Sequence, residues 1–278
     1  MKKSFVLLLA LLVAAPACFA AAPAPDPNPD PGLADVLIEK LAVTDKVKKR
    51  AGEQFVKNAA ANNVKAMDEG YKQARSSTHW PDYSTKALRA AAKAGHIEAV
   101  QYLLDKGVNI NSYLKPKNEN SDVQYTALCA AAESNKILMM KYLLNRGASP
   151  AVVCAISEGR PLPLRPKDVI LRVERRSDIL PTLDKDQLYV WKMLLRKDKS
   201  RFAYRFNIQH LVYYGDMELI ELLRDGGHFK LIGDAGALIV ASAFLSGNIG
   251  KVNRVIEGGG YLHYCHRTIM ATFWQFLL

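Results

Sequence analysis

Two segments of the chain repeat one pattern, and this repetition constrains the fold more than any other feature. Residues 87–111 and 127–151 each contain a run of small residues, a turn, and an apolar stretch that ends in Leu-Leu and, three residues later, Gly. In the first segment, Val100, Leu103 and Leu104 have the i, i+3, i+4 spacing of a helix with one buried face. A helix–turn–helix unit of this size cannot bury that face alone, so such units stack into a solenoid. The residues expected to be buried in the second helices are Leu103, Leu104, Leu143, Leu144, Leu222, Leu223, Val255 and Ile256.

Weaker copies of the unit occur on both sides of these two segments. Residues 208–227 and 240–259 place glycines in the two corresponding positions, at an offset of 32 residues. Residues 55–67 place Asn62 at the turn, 33 residues before Gly95. Because the spacing is kept, we expect an all-α solenoid of about six helix-pair units, with an atypical unit at its start.

The pattern resembles the ankyrin repeat, whose signature runs T-P-L-H-x-A-A-x-x-G-H and then V-x-x-L-L-x-x-G-A. Thr126-Ala127-Leu128 matches T-P-L with Ala in place of Pro. The other matching residues are Ala91, Ala92, Gly95, His96, Val100, Leu103, Leu104 and Gly107. The resemblance covers roughly residues 50–260. It implies a protein that binds other proteins through its first-helix face and its loop tips.

Residues 152–198 fit the unit least well. Residues 152–159 fit a first helix and residues 188–198 fit a second helix, but four prolines lie between them. Because proline interrupts helices, we interpret residues 159–185 as a long basic insertion within one repeat; two degenerate repeats are the alternative. The apolar residues at about 266–278 are expected to form a helix that caps the solenoid.

The N-terminus has the pattern of a secretory signal peptide. Two lysines precede an apolar run too short to span a membrane, and small residues precede Ala20. A bacterial envelope protein, periplasmic or secreted, is therefore expected, without a transmembrane segment; a lipoprotein modified at Cys18 is the alternative. The expected parts are a signal peptide (1–20), a proline-rich linker (21–32) and the solenoid (33–278).

The formal net charge is +11, and much of the excess lies in one region. Residues 160–205 contain thirteen Lys or Arg residues against six Asp or Glu residues. This region is either a solvated basic loop or a surface for an acidic partner. An exported chain without a base-stacking motif is not expected to bind nucleic acid. The residues predicted to contact a partner protein are Arg89, Lys93, Lys115, Lys117, Tyr125, Glu133, Arg172, Arg175 and Arg176.

Cysteine and histidine residues give no sign of a cofactor or a metal. After signal removal three cysteines remain, Cys129, Cys154 and Cys265, so at least one is unpaired or bonds between molecules. If Cys129 and Cys154 both lie on first helices, the axes of those helices are about 8–10 Å apart. A disulfide needs a shorter Cα–Cα distance, so it can form only where the two helices approach more closely. The cluster at residues 263–266 lacks the ligand spacing of a zinc site.

Two classes of function fit these features. The first is a binding protein, either an immunity or inhibitor protein or a scaffold that protects an envelope enzyme. The second is an enzyme whose site is built by residues 159–185. No Ser/His/Asp arrangement or paired carboxylates can be assembled from the sequence, so we predict a binding protein without catalytic residues.

Overall fold

The computed structural model describes residues 31–114, 123–156, 163–174, 183–200, 202, 208–229 and 234–259. The chain divides into two units, residues 1–44 and residues 45–278. In the first unit the described residues form the N-terminal part of helix α1, which begins at Pro31, inside the predicted linker. The predicted signal peptide, the predicted capping helix and Cys265 lie outside the described residues. No helix in the described ranges is both long enough and apolar enough to cross a membrane.

The described helices form six consecutive pairs, as the repeat spacing predicts. In five of them a turn of two or three residues joins the two helices. The pairs are α1 (Pro31–Ala60) with α2 (Val64–Ala74), α3 (Trp80–Ala94) with α4 (Ile97–Asp105), α5 (Ala127–Glu133) with α6 (Ile137–Asn145), α7 (Pro166–Glu174) with α8 (Lys185–Lys197), α9 (Ile208–Tyr214) with α10 (Met217–Asp225), and α11 (Asp234–Leu245) with α12 (Ile249–Glu257).

Helices of one pair stack on the corresponding helices of the next pair. Among the first helices, α5 packs against both α3 and α7, and α9 packs against α11. Among the second helices, α2 packs against α4. Further along the chain, α6 packs against α8, α8 against α10, and α10 against α12. Each helix pair thus buries its apolar face against a neighbouring pair, which confirms the all-α repeat solenoid.

The turns between paired helices use residues that tolerate a left-handed backbone. Gly95 ends α3 with φ 88°, and Asn62 takes the equivalent position after α1 with φ 56°. The Asn62 side chain also reaches the next unit, where its Oδ1 accepts a hydrogen bond from the Ala99 N–H at 3.2 Å. Its Nδ2 donates to Glu98 at 3.2 Å. Asn62 therefore caps the first turn of α4 from the neighbouring pair.

Most second-helix residues predicted to be buried are buried, and three are only half-buried. Four of them, Leu103, Leu143, Leu223 and Val255, are fully inaccessible to solvent, and Leu144 is nearly so. The exceptions, which contact the edge of the core, are Leu104, Leu222 and Ile256. In the Leu-Leu pairs of α4 and α10 one residue is buried in the stack and the other lies at the border with solvent, whereas in α6 both leucines are buried.

The prediction of a first helix at residues 152–159 is wrong over residues 152–156, and residues 157–159 lie outside the described ranges. A two-residue strand, β1 (Ala155–Ile156), lies there and pairs antiparallel with β2 (Pro163–Leu164). Helix α7, within the predicted insertion 159–185, packs against α5 and so occupies the first-helix position. Pro166 explains this shift, because proline needs no N–H partner at the first position of a helix.

A disulfide joins Cys129 in α5 to Cys154, just before β1. Their Cα atoms are 5.4 Å apart, closer than the helix-to-helix distance considered above. The premise that Cys154 lies on a first helix is wrong, since Cys154 belongs to an extended segment. Its N–H donates to the carbonyl of Leu164 at 2.7 Å, which places this segment between α5 and β2.

Candidate protein-binding surface

Helix α3 presents a row of cations on its exposed face. The helix buries Tyr83, Ala87, Leu88, Ala91 and Ala92. Lys86, Arg89 and Lys93 follow at spacings of three and four residues, so they share the opposite face. Lys86 and Lys93 are exposed and Arg89 is half-buried. We call these three residues the basic row.

Arg89 is held against an aromatic ring from the next unit. Its Cζ lies 4.4 Å from the ring centroid of Tyr125, a distance at which a cation is attracted to the ring face. Tyr125 in turn donates a hydrogen bond to the carboxylate of Glu133. The Arg89 Nε is buried and has no hydrogen-bond partner among the described residues. These contacts fix the guanidinium between α3 and α5.

The ionisation of this group follows from its surroundings. Burial lowers the pKa of Arg89, while the negative charge of Glu133 opposes that shift. Arginine still stays charged at neutral pH. Burial and the hydrogen bond to Glu133 raise the pKa of Tyr125, so its hydroxyl keeps the proton that it donates.

Helix α5 contributes only its last residue to the exposed surface. The six residues from Ala127 to Ala132 are all buried, because α5 is stacked between α3 and α7 and its alanines allow close approach. Glu133 is exposed at the end of the helix. The first-helix face of this unit is therefore formed by Tyr125 and Glu133 beside the basic row.

The second-helix face differs from the first in how its charges are paired. Several of its cations bind carboxylates on the neighbouring second helix, so part of its positive charge is neutralised within the molecule. These pairs are Lys141–Asp186 at 2.7 Å, Lys192–Glu218 at 2.6 Å, Arg196–Glu218, and Arg254–Glu221 at 2.6 Å. By contrast, no residue of the basic row forms a salt bridge with any carboxylate in the described ranges.

The structure brings together four of the predicted contact residues. Arg89, Tyr125 and Glu133 form one connected group, and Lys93 lies on the same face of α3 as Arg89. Lys86 belongs to this face but is absent from the prediction, although its spacing of three residues from Arg89 could have identified it. The remaining predicted residues were Lys115, Lys117, Arg172, Arg175 and Arg176. Of these, Arg172 lies in α7 with an undescribed side chain, and the others lie outside the described residues.

No group of three or more His, Cys, Asp or Glu residues in the described ranges is placed to bind a metal ion. The cluster at residues 263–266 lies outside those ranges.

Comparisons with known proteins agree with the repeat pattern. No curated protein matches the chain significantly. Among solved structures, a similar chain comes from a complex of a predatory endopeptidase from Bdellovibrio bacteriovorus with an immunity protein. It is 16% identical, with 73% of this chain and 96% of that chain covered, at a TM-score of 0.43; we draw nothing from so distant a likeness. Residues 49–154 match the family model for ankyrin repeats in three copies. The matched residues cover less than half of the chain and lie in the first three helix pairs.

Proposed function

We propose that the protein is a periplasmic binding module that holds a partner protein on its first-helix face and loop tips. Ankyrin repeats are protein-interaction units, and the observation that carries the proposal is their continuous stacking into a solenoid. A stacked array of helix pairs offers an extended surface that stays in place when a partner binds. The periplasmic location is inferred from the signal-peptide pattern of residues 1–20.

The disulfide supports export. Disulfides persist in oxidising compartments such as the bacterial periplasm and are rare in the cytosol. The Cys129–Cys154 bridge is buried, with Cys129 fully inaccessible to solvent. A bridge in this position suits a chain that folds after it crosses the inner membrane.

Two forms of the proposal differ in what happens to the partner. An immunity or inhibitor protein lowers the activity of an envelope-acting toxin or enzyme. A protective scaffold keeps an envelope enzyme folded and leaves its activity intact. An activity assay of the partner, with and without one equivalent of the protein, separates the two forms.

An enzyme with a site in residues 159–185 is the competing proposal, and Lys167 is the reactive side chain that the structure describes there. Its side chain is only 1% exposed. The Nζ lies 2.9 Å from Asp198 Oδ2 and donates to the Ser200 hydroxyl at 3.0 Å. Burial lowers the pKa of Lys167. Because the amine is enclosed and fully occupied, it anchors α7 to the end of α8 and is not placed to attack a substrate.

The test is capture followed by reconstitution. The tagged mature protein is mixed with envelope extract, and bound proteins are identified by mass spectrometry. The control is a Leu143→Asp variant, in which a buried charge disrupts the stack. We expect a protein that binds the intact solenoid alone and forms a defined complex when both components are pure. Failure to hold any protein, or turnover of an envelope substrate by the protein alone, would contradict the proposal.

A further inference from the structure

We propose that the basic row and Tyr125 bind an acidic segment of the partner protein, with Arg89 as the central contact to a carboxylate. This inference rests on the proposed function and names the chemistry of its partner. It concerns a different part of the chain from the basic residues 160–205 emphasised by the sequence.

The first argument is the difference in charge pairing between the two faces. Several cations of the second helices, among them Lys141, Lys192 and Arg254, bind carboxylates on a neighbouring second helix. By contrast, the three cations of the basic row form no salt bridge in the described ranges. The row rises by about 10 Å along α3, at 1.5 Å per residue. Aspartate or glutamate side chains spaced roughly one helical turn apart in a partner would match it. Clustered charge of one sign also raises the rate at which an oppositely charged partner associates.

The second argument is that Arg89 is already ordered. A free arginine side chain loses conformational entropy when it binds, which weakens the contact. Here the Tyr125 ring holds the guanidinium before any partner arrives, at 4.4 Å. Because the Nε is buried, the terminal nitrogens remain for a partner carboxylate, a geometry that arginine serves better than lysine.

Glu133 gives the inference a test of opposite sign. Its exposed carboxylate accepts the hydrogen bond of the Tyr125 hydroxyl, and its negative charge acts on the Arg89 guanidinium. The same negative charge repels an acidic partner. Replacing Glu133 with Gln keeps an acceptor for Tyr125 and removes the repulsion, so it should strengthen binding. A purely structural role for this group would not predict a gain.

The probe is a fluorescent ten-residue glutamate peptide, with the glutamine peptide as its uncharged counterpart, measured by anisotropy on the full mature chain. In about 50 mM salt, where surface charges are weakly screened, the Lys86→Glu, Arg89→Glu and Lys93→Glu triple variant should bind the glutamate peptide about tenfold more weakly than wild type. Arg89→Lys should lose part of the affinity, and Glu133→Gln should gain about two- to fivefold. Thermal unfolding of each variant confirms that it remains folded.

The matched control reverses three exposed cations of α1, which changes the net charge equally. This variant carries Lys46→Glu, Lys49→Glu and Lys57→Glu. It should keep near wild-type affinity. Equal loss in both triple variants would mean that net charge alone attracts the peptide, and would overturn the inference.

A second arm uses the captured envelope protein and vesicles of anionic phosphatidylglycerol. If wild type and the basic-row variant bind the captured protein equally, the proposed function stands and this inference fails. If no protein is captured, the proposed function itself fails. Binding of wild type to the vesicles but not to the glutamate peptide would assign the row to a lipid surface and overturn the inference.

Discussion

Tyr125 and Tyr102 are two tyrosines whose protonation is tied to folding. Each donates its hydroxyl to a carboxylate, Tyr102 to Asp68 at 3.0 Å and Tyr125 to Glu133. Burial first, and the carboxylate second, raise the pKa of both phenols. The folded protein therefore keeps these protons at a pH where an unfolded tyrosine, with a pKa of about 10, loses them. Their contribution to stability is complete below pH ~10 and is lost as the pH rises further.

Replacing Tyr125 with Phe should make stability less sensitive to alkaline pH. The free energy of unfolding, measured by urea titration between about pH 9 and 11, should fall less steeply in Tyr125→Phe than in wild type. Tyr113→Phe, which removes an exposed phenol, corrects for the loss of one tyrosine. Identical slopes in wild type and Tyr125→Phe would show that the hydrogen bond to Glu133 does not control this proton.

Asn62 combines two roles that substitutions can separate. Asn62→Gly keeps the left-handed backbone but removes the cap on α4, and should cost about 0.5–2 kcal/mol. Asn62→Ala loses the cap and also places a Cβ at φ 56°, and should cost about 1 kcal/mol more. In thermal or urea unfolding, stability should decrease from wild type to Asn62→Gly and again to Asn62→Ala. An alanine variant as stable as the glycine variant would contradict the backbone argument.

Element packing depends on how deeply each second-helix leucine is buried in the stack. Leu143 in α6 is fully buried, whereas Leu104 in α4 only borders the core. Leu143→Ala should therefore destabilise the protein by about 2–5 kcal/mol through the cavity that it leaves. Leu104→Ala is the matched control and should cost clearly less. Equal losses in urea unfolding would mean that burial in the stack does not set the energetics.

The disulfide fastens α5 to the segment that leads into β1. It closes a sequence separation of 25 residues, for which chain entropy gives a stabilisation of about 3.5 kcal/mol. The double variant Cys129→Ala, Cys154→Ala should be less stable by about that amount. A reducing agent should destabilise wild type similarly under denaturing conditions and leave the variant unchanged. A reductant effect of equal size in the variant would exclude this bridge as the cause.

The repeat register predicts the helix pairs well, because each helix carries its own apolar period. It fails at residues 152–156, where β1 replaces the predicted helix, because a disulfide and a strand partner hold that segment extended. The contact between Arg89 and Tyr125 joins residues 36 apart in the sequence, so local spacing cannot reveal it. Sequence reasoning selected both residues as surface positions, but only the structure shows that they touch.

At the scale of the whole molecule, positive charge is distributed unevenly between faces. The second-helix face pairs several of its cations with carboxylates of the solenoid, whereas the basic row on the first helix of the second pair forms no salt bridge within the described ranges. Such an arrangement steers an acidic partner towards one side. Long-range attraction of this kind weakens as salt shortens the screening length.

Export should remove the first 20 residues of the chain. Protein recovered from the periplasm is expected to begin near Ala21, as read by intact mass and N-terminal sequencing. Substituting the apolar run with charged residues should leave uncleaved protein in the cytoplasm. Uncleaved wild-type protein in the cytoplasm would refute the signal peptide, and a fatty-acylated Cys18 at the N-terminus would replace it with a lipoprotein signal.

The buried bridge between Cys129 and Cys154 also affects how the array comes apart. Units that contact only their neighbours lose structure from the two ends, where each has one supporting neighbour. The bridge ties the third helix pair to the start of the fourth, midway along the array. Fraying that advances from either end thus reaches a covalent cross-link at the centre of the array. In oxidised molecules α5 therefore stays tethered to the segment before β1 when the outer pairs fray, and the tether begins four residues after Tyr125.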